Sequence, residues 1–270
     1  MKLSDAVKLL ADAGIEDARY EARELFMYFG GYKKHELILS DPDCTADDLI
    51  SAINKRVLRV PLQYIIGSVG FYNEEYEVSD ACLIPRQDTE ILVDYAVKNI
   101  PDGERFLDAC TGSGCVGIST LKNTVGTTAL LVDLSLDALK IAKRNAEKNG
   151  VLDRAEFCSA DLLSEIADGE YFAVLSNPPY VTESAYESLE REIYYEPKMA
   201  FVGGRDGLDF YRRLTSVYKS RIKAKGFIAY EIGYDQGQAL REIAESENMT
   251  CEIIKDLSGN DRVAVLRLFK

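Results

Sequence analysis

The sequence contains no tryptophan and only one histidine, His35, among its 270 residues. A single histidine argues against a zinc site, and it argues equally against a Ser-His-Asp triad. We interpret His35 as a helix-end or surface residue. We therefore expect a chemistry that uses neither histidine nor a bound metal.

Long apolar segments are also missing. No stretch approaches the ~18 uncharged apolar residues that a membrane-spanning helix needs, and the first 25 residues carry acids throughout, unlike a signal peptide. The six cysteines are scattered and form no CxxC pair. This spacing predicts buried free thiols rather than a disulfide framework. We expect a cytoplasmic protein that has no membrane partner.

Positive charge is scarce as well. The chain has 32 basic and 45 acidic residues, a formal net charge of −13 and a sequence pI near 4.7. Such a surface repels nucleic-acid phosphates unless a local basic patch overrides the average. No such patch stands out, so we expect proteins and small molecules as partners and no direct binding of nucleic acid.

The apolar pattern changes twice along the chain. Residues 1–59 repeat apolar positions with helical spacing and predict a small helical bundle without a catalytic cluster, which we interpret as a substrate-recognition domain. Residues 60–84 contain short β-type runs, including 62–67, and predict a β-hairpin connector. In that hairpin we expect Asn73 to adopt a positive φ.

Residues 85–270 alternate strands with helices. The predicted strands are 105–109, 129–133, 155–158, 173–176, 226–232, 252–255 and 263–268, and the predicted helices are 89–99, 116–122, 137–149, 208–221 and 236–247. Alternation of this kind indicates a parallel sheet that is covered on both faces. No helix separates the last two strands, so we expect them to pair antiparallel at one edge.

A glycine-rich turn follows the first of these strands. Gly112, Gly114 and Gly117 spell G-x-G-x-x-G, and Asp133 ends the next strand. This arrangement is typical of adenosine cofactors, since glycines let the backbone approach the ligand and the acid binds the ribose hydroxyls. The glycine pattern alone does not distinguish a nicotinamide cofactor from S-adenosylmethionine.

Two further acids favour the sulfonium cofactor. Asp108, at the end of the first strand, would repel a pyrophosphate but suits a positively charged ligand. Asp161 follows the third strand, where it could read an adenine amino group. Asp161 could also cap the residues that follow it, and the two roles are compatible.

Asn177-Pro178-Pro179-Tyr180 follows the fourth strand, at the sheet edge where α/β proteins bind ligands. The prolines remove two amide donors, which leaves the Asn177 side-chain oxygen and the Pro178 carbonyl as acceptors beside the Tyr180 ring. Two acceptors next to a ring suit a planar NH2 group, as in glutamine, adenine or cytosine. Such hydrogen bonds would support the positive charge that develops when a methyl group arrives.

With these motifs the chain resembles the class I S-adenosylmethionine-dependent methyltransferases that modify amino nitrogens, and within them the HemK/PrmC protein-(glutamine-N5) methyltransferases. Further segments that look like this family are 61–67, 83–90, Glu196-Pro197, 203–208 and Tyr211-Arg212. The chain departs from the family at Cys110 and Asn73, where glycine is usual. It departs again at Leu162, where some relatives have an aromatic residue near adenine.

The resemblance implies a Rossmann-like, mostly parallel seven-stranded sheet with an antiparallel edge hairpin, preceded by a helical bundle. It implies methyl transfer from S-adenosylmethionine to the N5 atom of the glutamine in the GGQ motif of peptide chain release factors, with S-adenosylhomocysteine as the product. The expected cofactor-binding residues are Asp108, Cys110, Thr111, Gly112, Ser113, Gly114, Asp133, Asp161, Leu162 and Asn177. The expected substrate-binding residues are Asn177, Pro178, Pro179 and Tyr180, and of these Asn177, Pro178 and Tyr180 are expected to be catalytic.

Several alternatives compete with this interpretation. A related family methylates a glutamine of a ribosomal protein, and the quoted motifs separate the two families poorly. DNA adenine methyltransferases share the Asn-Pro-Pro-Tyr motif but need a basic face and usually a target-recognition insertion. A nicotinamide-dependent oxidoreductase leaves residues 177–180 without a role. An intact Asn177 and Asp133 argue against a non-catalytic adapter that binds S-adenosylmethionine without using it.

Overall fold

The computed structural model describes residues 1–165 and 167–269. The chain divides into two compact units: Met1–Ser68 with Glu190–Tyr195, and Val69–Leu189 with Glu196–Lys270. Within the described ranges, no helix has the length and apolar character needed to cross a membrane.

The first unit is helical, as predicted. Its helices are α1 (Leu3–Asp12), α2 (Ala18–Gly30), α3 (Glu36–Leu39), α4 (Asp47–Val57) and α5 (Leu62–Ile66). Leu10, Leu25, Phe26, Leu49 and Ile53 are fully buried and form the centre of its core. Because these side chains recur with helical spacing, each helix turns one apolar stripe inward.

A buried ion cluster ties the segment 190–195 to this unit. Arg56, which is 5% exposed, hydrogen-bonds the Glu21 carboxylate and lies 3.0 Å from an oxygen of Glu192. Arg59 contacts the other Glu192 oxygen at 2.8 Å. Two arginines therefore compensate the Glu192 charge, as a carboxylate removed from water requires.

The β-type prediction for residues 62–67 was wrong, because these residues form helix α5. Pro61 precedes the helix with φ −52°, and its carbonyl accepts from the N–H groups of Tyr64 and Ile65 at 3.1 Å. Proline is favourable at a helix start because its missing N–H would have no partner there. Gly67, at φ 83°, ends the helix in the left-handed conformation.

The predicted hairpin lies just beyond this helix. Strands β1 (Ser68–Phe71) and β2 (Glu74–Glu77) form a two-stranded sheet. The residue with positive φ in the turn is Tyr72, at 60°, so the expectation for Asn73 was wrong. The Tyr72 N–H donates to Glu90 at 2.9 Å and its hydroxyl to Asp94 at 2.8 Å, and these bonds offset the cost of a left-handed tyrosine.

The second unit contains a seven-stranded sheet, as predicted. Its strands are β3 (Arg105–Ala109), β4 (Thr128–Asp133), β5 (Ala155–Ser159), β6 (Tyr171–Ser176), β7 (Ile222–Glu231), β8 (Met249–Lys255) and β9 (Asp261–Leu268). They lie in the order β5-β4-β3-β6-β7-β9-β8. The first five pair in parallel, while β9 pairs antiparallel with both β7 and β8, which confirms the predicted antiparallel edge.

Both faces of the sheet are covered. Phe106 on β3 packs on one face and Leu107 on the other, since successive side chains of a strand point to opposite sides. Helices α6 (Glu90–Asn99), α7 (Cys115–Lys122) and α8 (Leu136–Lys148) contribute to the first core, and α10 (Asp209–Tyr218) and α11 (Gly237–Ser246) to the second. The remaining helix, α9 (Glu183–Tyr186), follows the β6 end.

The chain leaves β3 toward β4 on one side, while β6 lies on its other side. Parallel strands that diverge in this way open a crevice at their carboxyl ends. The glycine-rich turn after β3, Asp133 at the end of β4 and Asn177 after β6 all lie at this edge.

Candidate active site

A cavity of about 320 Å³ opens at this edge of the sheet. The glycine-loop side of the cavity is defined here by residues 110–113, 133–135 and 160–163. The asparagine side is defined by the lining residues Pro85, Arg86, Thr89, Asn177, Pro179, Pro197, Met199, Ala200, Val202 and Phe210. All of these residues belong to the second unit.

The glycine loop bends through three left-handed residues. Cys110, Gly112 and Gly114 have φ values of 59°, 55° and 83°. The loop is fixed by a hydrogen bond from the Thr111 N–H to the Val132 carbonyl, at 3.0 Å. A left-handed backbone explains why glycine suits position 110, and here the small Cys110 side chain takes on that strained conformation.

Asp108 supports this loop from behind. It is 1% exposed and does not line the cavity, because it points to the sheet face that α7 covers. One carboxylate oxygen accepts from the Thr111 hydroxyl and from the Gly117 N–H, the latter at 2.9 Å. Burial raises the pKa of Asp108 to about 7, against the lowering by these two hydrogen bonds.

Asp133 reaches the cavity directly. One of its oxygens accepts from the Gly112 N–H at 2.8 Å, and the other accepts from the Ser135 N–H at 2.9 Å. Burial raises the pKa of Asp133, and the backbone hydrogen bonds act in the opposite direction. A carboxylate oxygen can accept more than one hydrogen bond, so this geometry still suits a ligand with two adjacent hydroxyl groups.

Apolar side chains lie beside Asp133. Leu134 is 53% exposed and Leu163 is 42% exposed, although both line the cavity. Leu162, 4% exposed, lines it as well. The Asp161 carboxylate accepts from the Leu163 N–H and the Ser164 hydroxyl, both at 3.0 Å, so it does cap the turn that follows. The surroundings suit a flat apolar ring with a polar edge.

Ser113 adds an unused polar group. It is 2% exposed, and its hydroxyl has no nitrogen or oxygen partner among the described residues, although the Cys115 thiol lies nearby. Buried hydroxyls are normally satisfied, so a polar ligand group in the cavity is a fitting partner. Ser113, Asp133 and the leucines together fit a nucleoside that carries a charged tail.

Asn177 lies on the asparagine side of the cavity. The residue before it, Ser176, donates its hydroxyl to the Ala109 carbonyl at 2.6 Å, which joins the ends of β6 and β3. The Asn177 Nδ2 lies 3.2 Å from the Thr89 hydroxyl oxygen. With Nδ2 engaged in this way, Oδ1 is the atom left to accept from a ligand in the cavity.

Glycines let a second loop pack on the Asn177 loop. A methyl group at Gly203 would lie 2.2 Å from the Pro179 carbonyl oxygen, and one at Gly207 would lie 2.2 Å from that of Tyr180. The Tyr180 carbonyl also accepts from the Gln236 side chain at 3.1 Å. This close backbone approach holds residues 177–180 in place.

The asparagine side has a buried acid of its own. Glu196, which is 5% exposed, accepts from the Ile84 N–H at 2.9 Å and from the Arg86 guanidinium. The pair presents Arg86 to the cavity between Pro85 and Thr89. Segments more than one hundred residues apart in sequence are thus joined at one wall.

The cavity brings together most of the predicted site residues. Those that line it are Cys110, Thr111, Gly112, Ser113, Asp133, Asp161, Leu162, Asn177 and Pro179. Asp108, Gly114, Pro178 and Tyr180 are not among the lining residues. Sequence reasoning gave no role to Thr89, Arg86, Glu196 or Leu134, although the first three lie in segments that resemble the family.

Two family descriptions match the chain. Residues 2–67 match the one described as PrmC N-terminal domain, and residues 87–199 match the methyltransferase small domain. Together they account for the helical unit and for the half of the sheet that carries the glycine loop, Asp133 and Asn177.

Curated relatives extend this similarity over the whole length. The release factor glutamine methyltransferase of Thermodesulfovibrio yellowstonii is 33% identical over 100% of this chain and 99% of its own. That of Clostridium acetobutylicum is 40% identical over 79% of this chain and 77% of its own. A methyltransferase structure from Pyrococcus furiosus, 17% identical, covers 80% of this chain and 97% of its own with a TM-score of 0.55 and shows the shared fold. The chain belongs to the release factor glutamine methyltransferase family.

Proposed function

We propose that this protein transfers a methyl group from S-adenosylmethionine to the side-chain amide nitrogen of the glutamine in the GGQ motif of peptide chain release factors. One observation carries the proposal: Asn177 lines the same cavity as Asp133 and the glycine loop. This arrangement supports an acceptor for an NH2 group beside a bound nucleoside.

The glycine-loop side suits S-adenosylmethionine. Asp133 would hold the ribose hydroxyls, Asp161 and Leu162 would lie near adenine, and residues 110–113 would hold the methionine part. Asp108 would act through the loop, by keeping Thr111 in place. When bound, S-adenosylmethionine would supply an electrophilic methyl group whose bonding electrons stay with sulfur, and the amide nitrogen that accepts the methyl would release one proton to solvent.

The asparagine side suits the glutamine amide. An amide nitrogen is a poor nucleophile because its lone pair is delocalised into the carbonyl, so the protein must supply position and charge stabilisation. We assign one N–H of the substrate to the Asn177 Oδ1 and the other to the Pro178 carbonyl, with Tyr180 beside the amide plane; Pro178 and Tyr180 do not line the cavity themselves, and each adjoins a residue that does. These hydrogen bonds strengthen as the nitrogen becomes positive, and holding two reactants in attack geometry can supply ~7–11 kcal/mol.

Pro179 completes this wall without offering an N–H. Because prolines occupy positions 178 and 179, neither residue presents a donor that would compete with the substrate NH2 group. The helical unit contributes no cavity residue to this site. We assign it the recognition of the release factor.

The proposed function is tested by offering the protein several candidate methyl acceptors. The full-length protein is incubated with methyl-labelled S-adenosylmethionine and, in parallel, with a release factor, a glutamine-containing ribosomal protein and double-stranded DNA. The proposal predicts label on the release factor, and none on a factor whose GGQ glutamine is changed to Glu. Label on the ribosomal protein or the DNA alone would assign the activity to one of the other acceptors.

A further inference from the structure

The side-chain amide of Asn177 has two ends of nearly equal shape and opposite hydrogen-bonding character. Oδ1 accepts and Nδ2 donates, so only one of the two orientations can receive an N–H from the substrate. A rotation of the amide by half a turn would present a donor to another donor. A group of the protein other than Asn177 itself must therefore determine which end of the amide faces the substrate.

Two buried residues next to Asn177, Thr89 and then Glu231, are placed so that they could determine the orientation of its amide. Thr89, which is 1% exposed, lies 3.2 Å from the Asn177 Nδ2 through its hydroxyl oxygen. The same hydroxyl lies close enough to the carboxylate of Glu231, the last residue of β7, to lower the pKa of that carboxyl. Glu231 is 2% exposed, and its Oε2 has no hydrogen-bond partner among the described residues.

The number of protons determines the direction of these bonds. A threonine hydroxyl has one proton to donate, and an ionised carboxylate can only accept. When the Thr89 proton goes to Glu231, the Thr89 oxygen can only accept from Asn177. The Asn177 end that faces Thr89 must then be Nδ2, and Oδ1 must face the cavity.

We propose that Thr89 and Glu231 are positioning residues that fix the orientation of the Asn177 amide, so that its oxygen faces the substrate nitrogen. The inference rests on the function proposed above. Glu231 does not line the cavity, so it acts only through Thr89. A buried carboxyl with an unpaired oxygen costs free energy of folding. The proposed role accounts for the presence of Glu231 at this position.

Other charged or titratable groups face Glu231 from the elements around it. They are Arg86 and Asp88 before α6, Cys115 on α7, Tyr180 after β6, Tyr211 on α10 and Arg262 on β9. Burial raises the pKa of Glu231 to about 7, with Asp88 in the same direction, whereas Thr89 and the two arginines lower it. We call Thr89 and Glu231 together the relay. The ionised form of Glu231, which the relay needs, is therefore accessible near neutral pH.

Variants at Thr89 separate the hydroxyl from its packing. Thr89→Val keeps the shape and removes the hydroxyl, while Thr89→Ser keeps the hydroxyl and removes a methyl group. With release factor and S-adenosylmethionine as substrates, we expect Thr89→Val to lower kcat roughly 10- to 100-fold, the range for a buried polar group that loses its partner. KM for the factor and Kd for the cofactor should stay near the parental values.

Thr89→Ser should restore kcat toward the parental rate, and Glu231→Gln should lower it while the cofactor still binds. If Thr89→Val turns over at the parental rate while Asn177→Ala is slow, the relay is wrong and the proposed function stands. If Thr89→Ser is as slow as Thr89→Val, packing rather than the hydroxyl matters, and the relay is again wrong. A parental protein that leaves the release factor unmethylated would overturn the proposed function instead.

Discussion

The two sides of the cavity are built by different means. The glycine-loop side is assembled from one strand-loop-helix segment and the strand next to it: Asp108 accepts from the Thr111 hydroxyl, and Asp133 accepts from the Gly112 N–H. The asparagine side joins residues that lie far apart in the sequence: Asn177 contacts Thr89, and Gly203 packs on Pro179. Each side nevertheless has one fully buried carboxyl behind it, Asp108 or Glu231, with a pKa raised by burial to about 7.

This difference indicates a division of labour. On the proposed function, we expect the side with the backbone amides and Asp133 to control affinity for the methyl donor. We expect the side with Asn177, whose orientation depends on distant residues, to control the rate of transfer. Substitutions on the first side should therefore change cofactor affinity, and substitutions on the second should change kcat.

Asn177→Ala should have the largest effect. Removal of the amide oxygen should lower kcat on release factor about 10²- to 10³-fold, as is typical for the loss of a transition-state hydrogen bond, and should leave the cofactor Kd nearly unchanged. Steady-state kinetics and calorimetry measure the two quantities. Asn54→Ala, at an exposed position of α4, is the control. If Asn177→Ala has the parental kcat, the asparagine side does not control the rate of transfer.

Gly203→Ala should come next. Its methyl group would lie 2.2 Å from the Pro179 carbonyl oxygen, so the Asn177 loop must shift, and a misplacement of about 1 Å can cost ~10²-fold in rate. Gly70→Ala is the matched control, since a methyl group there meets no atom within 4 Å. Equal rates in the two variants would mean that the contact with Pro179 does not position the loop.

Asp133→Ala tests the opposite side. The loss of charge-assisted hydrogen bonds to the ribose should cost roughly 1.5–3 kcal/mol, which is about a 10- to 100-fold weaker Kd for S-adenosylmethionine. At saturating cofactor, kcat should recover to a large extent. The control is Asp137→Ala on the exposed face of α8. Unchanged cofactor affinity in Asp133→Ala would remove this residue from the site.

The smallest effect concerns pH. Glu231 loses its proton as the pH rises through about 7, and only the carboxylate forces Thr89 to accept from Asn177. The parental kcat should thus rise between pH 6 and 8, by up to about tenfold, in proportion to the ionised fraction. In Glu231→Gln the kcat should be low and flat across this range. The same rise in Glu231→Gln would assign it to another group, such as Asp108.

How well each side of the cavity can be predicted from the sequence depends on how far apart its residues lie in the sequence. The glycine loop, Asp133 and the positions of the strands were predictable because the relevant residues follow one another at fixed spacing. Asn177 was predictable because a strand and two prolines mark it. Thr89 and Glu231 were not, since their roles depend on which distant segments meet, and a threonine or a glutamate carries no such information locally.

The errors in the fold have local causes. Residues 62–67 include Tyr64 and the β-branched Ile65 and Ile66, which favour a strand, but Pro61 and Gly67 supply a helix start and a helix end, and α5 results. Tyr72 rather than Asn73 takes the left-handed position, because its amide and hydroxyl both find acidic partners on α6. Partners from a distant helix outweighed the intrinsic preference of asparagine.

The central claim is that the methyl group goes to a glutamine amide nitrogen of a release factor. Fragmentation mass spectrometry of the factor, after incubation with this protein and S-adenosylmethionine, measures the modified atom directly. The account predicts one added methyl group on the side-chain nitrogen of the GGQ glutamine, and none after incubation with the Asn177→Ala protein. A methyl group on any other residue of the factor, or an unmodified glutamine at full turnover, would contradict it.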